Sequence, residues 1–266
     1  MEEEKDIFIL FKQEAIKLMD SAQEGISSLK KNFSDQKYKE IFSNIHTVKG
    51  EAGFFGFTDI SETLHSAEDS LISYSNTRNT ILLDTLVNKI KFVKAMLQSL
   101  PEGPVSSVED MLSVFNNFIN NYSKSLGKQV EFLYSARIES DITDVADIKY
   151  IQHILIQILK NAIEHGIQTP EAREKEGKNK IGKIELTINY GKDDFSIICS
   201  DDGVGIENPN KVFDFGFTSK PTADTAAGRG VGLFSVKTIV EHKGGTIKIN
   251  SKKGVGTEVW IALKKN

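Results

Sequence analysis

The chain has one cysteine among its 266 residues, five prolines, one tryptophan and no large excess of either charge. A single thiol, Cys199, excludes an internal disulfide. It sits in the apolar run FSIICS, where a free cysteine is expected to be a small buried packing residue in a reducing compartment. No apolar run approaches the ~20 residues that a membrane span needs, so membrane insertion is not expected. The acidic opening MEEEKD is unlike a signal peptide, and a cytoplasmic location is the expectation. A formal net charge of −4 leaves no basic footprint, so a nucleic-acid partner is not expected either. Internal repeats and low-complexity segments are also lacking. What remains is an ordinary globular composition, long enough for two domains.

Two rhythms divide the chain. Residues 1–100 read as four amphipathic helices. The first carries Phe8, Phe11, Ala15, Leu18, Ala22, Ile26 and Leu29 as its apolar stripe. The second starts near Ser34 and carries Tyr38, Ile41, Ile45, Val48, Ala52 and Phe55. A third is expected to begin at Asp59 with a capping box to Glu62, and a fourth repeats leucines from Leu83 to Leu100. Short polar turns between them predict an antiparallel four-helix bundle. The stretch SLPEGPVSS marks a linker, taken as residues 101–107. Beyond it, over 108–266, helices near 107–126, 147–166 and 231–242 alternate with strand-like runs, KQVEFLYSA, GKIELTINY and DFSIICS, and a closing glycine-turn hairpin. That order predicts α+β layering rather than repeated βαβ units.

Inside the second helix stand Gly50 and Gly53, each worth about 1 kcal/mol of helix stability against alanine. They follow His46 and Lys49 at i+3, i+4 and i+7, which puts all four on one face. Bare backbone beside an imidazole lets another protein approach it closely, and Lys49 places a positive charge where a phosphoryl group on His46 would sit. In the third helix His65 and Glu68 lie one turn apart, off the apolar stripe. A carboxylate that accepts from one ring nitrogen of a histidine leaves the other as the nucleophile. Alone, an exposed histidine near a lysine is usually only surface. The combination HTVKGEAGFFGF and LHSAEDSL, however, resembles the histidine phosphotransfer (HPt) domain of chemotaxis-type histidine kinases. The resemblance implies His46 as phosphoacceptor, Lys49 as its charge partner, Glu68 as its hydrogen-bond partner and His65 in the same network. Glu51, an unusual acid beside the glycine, is expected to be a solvated side chain.

In the second half, Gln157, Asn161, Glu164 and His165 form a polar stripe opposite Ile151, Leu155, Ile158 and Ala162. A polar stripe by itself usually means a solvated face. Here it is followed by two glycine-rich loops, SDDGVGI after a strand and GRGVGLF at a helix start, which present backbone N–H groups suited to phosphate oxygens. Neither has dinucleotide-fold or Walker spacing. Together, ILKNAIEHG, DDGVGI, VFDFGFTSK and GRGVGLF resemble the N, G1, F and G2 boxes of the GHKL (Bergerat) ATP-binding domain of histidine kinases, an α+β two-layer sandwich. The resemblance is again to the chemotaxis type. It implies ATP and Mg²⁺, with Asn161 as metal ligand and Lys160 and His165 near the phosphates. Asp201 would accept from the adenine amino group, backed by Gly203, Gly205 and Thr257. Residues 213–229, including Thr218, would form a lid, and Gly228, Gly230 and Gly232 the phosphate-side loop. Gln157 stands where the chemotaxis kinases have a histidine, and Lys160 where they have an arginine.

These expectations combine into a multidomain histidine protein kinase that phosphorylates His46 from ATP and passes the group to an aspartate of a response regulator receiver domain. A separate sensor or scaffold protein and a homodimer are further partners that the resemblance implies. A second reading is a phosphotransfer adaptor that receives its phosphoryl group from a regulator and uses the ATP-like domain for docking.

Overall fold

The computed structural model describes residues 2–55, 57–101, 108–139, 145–191, 194–213 and 232–264. Thr218, Gly228 and Gly230, nearly all of the expected lid and all of the expected linker after Pro101 lie outside these residues. The described residues through Pro101 belong to one compact unit and those from Val108 onward to another.

The first unit is a helical bundle of α1 (Glu2–Lys31), α2 (Asp35–Phe54), α3 (Thr58–Thr77) and α4 (Thr80–Ser99). Each helix packs on the next and α4 returns to α1, so four apolar stripes close around one core. The inward residues recur with the predicted period, while Phe8, Tyr38, Phe55 and Leu100 at the stripe ends are only half-buried. In α1 the inward residue of the central turn is Met19, while Leu18 is only half-buried. Ser34 caps α2, its hydroxyl accepting from the Lys37 N–H at 3.4 Å, and Asn79 caps α4 by accepting from the Ile81 N–H at 3.0 Å. The start of α3 differs from the expected one. That helix begins one residue earlier, after Phe57, which supplies no side-chain cap. Aromatic packing sets this entry instead, with Phe57 within about 6 Å of both Phe8 and Phe11 of α1.

The second unit is a two-layer α/β sandwich. Its sheet has the order β1-β2-β3-β5-β4, from β1 (Val130–Ile138), β2 (Gly182–Tyr190), β3 (Asp194–Asp201), β4 (Thr246–Lys252) and β5 (Gly256–Lys264). Along β2 and β3 the buried side chains alternate, Ile184, Leu186 and Ile188 on one strand, Phe195, Ile197 and Cys199 on the other. Three helices supply the second layer, α5 (Val108–Ser125), α6 (Val145–Asn161) and α8 (Gly232–His242), with Phe118, Leu155 and Val240 fully buried. Only β1 and β2 are parallel, because the connection between them is long enough to hold α6 and the short α7 (Pro170–Lys175). All other neighbours are antiparallel.

The sequence predicts one helix through residue 166. The chain instead leaves α-helical geometry at Asn161 and makes a single π-turn, Ala162–Gly166, closed by the Ile167 N–H on the Ala162 carbonyl at 2.8 Å. The short helix α7 is an addition to the predicted elements, and Thr169 as N-cap with Pro170 behind it is a recognisable helix start. No described helix is long and apolar enough to cross a membrane.

Candidate functional site

In the bundle, α2 and α3 bring the four expected residues together around one carboxylate. Glu68 is 5% exposed. Its Oε1 accepts from Nδ1 of His46 at 2.9 Å and its Oε2 from Nζ of Lys49 at 2.6 Å. His65 stands farther off, its Nδ1 3.8 Å from Oε2. Burial acts to raise the Glu68 pKa, but the hydrogen bonds and charges of Lys49 and His46 outweigh it and hold the carboxyl below its ordinary value. An ionised Glu68 can only accept, so the bonded Nδ1 carries the proton and the ring lone pair lies on Nε2. The imidazole itself is largely exposed. Its ring lies nearly parallel to Phe42, with centroids 6.1 Å apart, and Phe42 lies against Tyr38 in the same way. These side chains, with Lys39, Ser43, Thr47 and Ile72, line an open depression of about 500 Å³ beside His46.

The two helix glycines are not needed for packing. A Cβ at Gly50 would meet nothing within 4 Å, and one at Gly53 would touch only the Ser61 hydroxyl at 3.6 Å. Both face outward on the His46 side of α2. Glu51 departs from expectation. Its side chain is half-buried, and its Oε2 is shielded from solvent with no hydrogen-bond partner among the described residues.

The second unit gathers another set at the end of α6. Gln157, Lys160 and Asn161 are partly accessible on its last turns, and His165, exposed, follows within the π-turn. Glu164, which the sequence placed in the same stripe, is taken up by the Tyr122 hydroxyl of α5. Gly166 ends the turn against Asp201, whose Oδ1 would lie 2.9 Å from a Cβ there. Asp201 closes β3 opposite Thr257 of β5 and accepts from the Gly203 N–H at 2.9 Å. Burial pushes its carboxyl up to about 6; the Gly203 N–H opposes this, and the neighbouring Asp202 charge adds to it.

The DDGVGI loop owes its glycines to backbone crossings. A Cβ at Gly203 would lie 2.2 Å from the Gly166 carbonyl oxygen, and one at Gly205 would lie 2.0 Å from that of Lys252, at a φ of +67°. Residues that the sequence reading missed hold the loop from behind. The Arg173 guanidinium, 1% exposed, donates to the Asp202 carboxylate at 2.7 Å and to the Asn179 carbonyl at 2.5 Å. Lys178 donates to the carbonyls of Asp202 and Gly203 at 2.9 and 2.5 Å. Gly232 begins α8.

Residues 7–103 match the Hpt domain family, and residues 146–266 match the family described as histidine kinase-, DNA gyrase B- and HSP90-like ATPase. The chain joins an Hpt domain to a histidine kinase-type ATPase domain. This pairing of domains is consistent with a CheA-like, Hpt-fused histidine kinase. Chemotaxis protein CheA of Salmonella typhimurium is 30% identical over 179 residues, 59% of this chain and 26% of that protein. Sensor histidine kinase CheAY of Helicobacter pylori is 29% identical over 66% of this chain and 25% of its own length. Chemotaxis protein CheA of Borreliella burgdorferi is 26% identical over 84% of this chain and 28% of its own. The chain thus spans about a quarter of the length of these relatives.

An ATPase domain of this family implies ATP binding, and the residues suit it. A shielded carboxylate at Asp201 is an acceptor of the kind an adenine amino group needs. The amide of Asn161 offers one hard oxygen to a magnesium ion. Among the described residues no group of three or more His, Cys, Asp or Glu side chains could hold a metal by itself.

Proposed function

We propose that this chain is a histidine protein kinase module in which ATP phosphorylates Nε2 of His46 and the group then passes to an aspartate of a response regulator receiver domain. The observation that carries the reading is the buried Glu68 carboxylate holding Nδ1 of His46 and Nζ of Lys49 at once. Attack by the Nε2 lone pair on the γ-phosphorus forms the N–P bond as the bond to the β-phosphate oxygen breaks and ADP leaves. Positive charge develops on the ring during attack, and Glu68 at Nδ1 offsets it. Lys49 neutralises charge on the phosphoryl oxygens. Positioning and charge of this kind supply most of phosphoryl-transfer catalysis. In the ATPase domain Asp201 binds the base, with Gly203, Gly205 and Thr257 shaping its surroundings, and Lys160 and His165 attend the phosphates. Asn161, with Gln157 beside it, would hold a magnesium ion, which would supply charge neutralisation at the triphosphate. Gly50 and Gly53 leave room for the receiver domain to reach His46.

The test is incubation with Mg²⁺ and γ-labelled ATP beside His46→Gln and Asn161→Asp. Acid-labile, base-stable label on the wild-type chain, absent from both variants, is the expected result. Its dependence on protein concentration reports whether transfer runs within a chain or between two copies. A folded chain that takes up no label from ATP, yet accepts it from a phosphorylated receiver, would overturn the kinase reading in favour of the adaptor.

A further inference from the structure

The π-turn between Asn161 and Ile167 is held by two side chains from a distant part of the sequence. Lys128, in the turn between α5 and β1, donates from Nζ to the carbonyl oxygens of Ile163 at 2.6 Å and Glu164 at 2.8 Å. Tyr122, fully buried in α5, donates its hydroxyl to the Glu164 carboxylate. A π-turn displaces carbonyls from the regular i→i+4 ladder, and such turns concentrate at functional sites. Here a single ammonium group collects two of these carbonyls and a phenol fixes the side chain between them. The far end of the turn is anchored separately, by the Val204 N–H on the Gly166 carbonyl at 3.0 Å. The near end is Asn161.

We propose that Lys128 and Tyr122 are positioning residues that hold the π-turn so that Asn161 presents its amide to the metal–triphosphate, while the base pocket at Asp201 is secured independently through Gly166. This rests on the reading of Asn161 and Asp201 as nucleotide-binding residues. The clamp is attached at one end of the nucleotide site only. Its loss should therefore be felt in metal-assisted binding of the phosphates and not in recognition of the base. A role in folding alone would weaken both alike.

The test is the dissociation constant of ADP with and without Mg²⁺, measured by titration calorimetry on the full chain. Lys128→Met keeps the stem and removes the donor. Tyr122→Phe keeps the buried ring and removes the hydroxyl, so it serves if the first variant folds poorly. In either folded variant, the tightening that Mg²⁺ brings should shrink by about tenfold, the size of one charge-assisted hydrogen bond. Metal-free ADP affinity should stay within about twofold, and Lys128→Arg, which restores a donor, should recover the Mg²⁺ effect. Equal loss with and without metal, or an unchanged Mg²⁺ effect in both variants, would overturn the proposal. Failure of the wild-type chain to bind ADP under either condition would instead overturn the nucleotide-site reading, and this inference with it.

Discussion

Glu68 and Asp201 are carboxylates shielded from water, and their neighbours drive their protonation in opposite directions. The Lys49 ammonium and the His46 N–H hold Glu68 ionised against its burial. Asp201 has backbone donors but an acidic neighbour in Asp202, so burial prevails and its pKa rises to about 6. The consequences for stability differ in sign. Glu68 contributes most above its unfolded pKa, and that contribution is lost as pH falls through its lowered folded value. Asp201 favours the fold below its unfolded pKa, and this is lost as pH rises through about 6. If Asp201 accepts from the adenine amino group, protonation removes the acceptor. ADP affinity is then expected to fall by up to about tenfold per pH unit below pH ~6, as for titration of one required group. Asp201→Asn should bind weakly with no such slope. Calorimetric titrations from pH 5 to 8 check this, and a flat wild-type profile would remove Asp201 from the base pocket. The bundle site was legible at this scale because HTVKGEAG and LHSAED put its members in two short motifs. Arg173, Lys178, Tyr122 and Lys128 were not, since their partners lie up to 42 residues away and no period or motif announces them.

At the scale of elements, the long helices could be read because each must bury one stripe, and a 3.6-residue period shows in the sequence. The strands were legible through their alternation. What stayed hidden were features set by tertiary contact, such as the π-turn at Ala162–Gly166, whose Ile163 and Glu164 carbonyls are met by Lys128 from the turn between α5 and β1. The start of α3 lies one residue before Asp59, where the phenylalanine cluster fixes the entry of the chain. Only α7 was missed despite a local signal. The α2 helix carries the element-level prediction. With open space around its Cβ position, Gly50→Leu should stabilise the bundle by up to about 1 kcal/mol, as a better helix former replaces glycine. Thermal melting reads that gain. The same variant should take up label from ATP but pass it to a receiver domain at least about tenfold more slowly, which corresponds to about 1.4 kcal/mol of barrier. Transfer at the wild-type rate would show that the open glycine face has no part in receiver access.

For the whole molecule, two units with separate cores make separate unfolding transitions the expectation, so a single Tm is not its natural description. Nucleotide provides the means to assign them. A ligand that binds only the folded ATPase domain stabilises that domain by RT ln(1 + [L]/Kd), about 2.7 kcal/mol at a hundredfold excess over Kd. Scanning calorimetry with saturating Mg²⁺·ADP should therefore raise the sheet unit's transition and leave that of the bundle in place. The titrations of Glu68 and Asp201 give an independent mark. Lowering pH from 6 through the lowered folded pKa of Glu68 should weaken the bundle relative to the ATPase domain, because Glu68 then loses its ionised form after Asp201 has gained its favoured proton. Glu68→Gln should raise the acid resistance of the bundle transition relative to its own neutral-pH value, while lowering that neutral-pH value. If ADP instead moved both transitions together, the two units would be energetically coupled, and phosphorylation of His46 would be expected to alter nucleotide affinity by the same linkage.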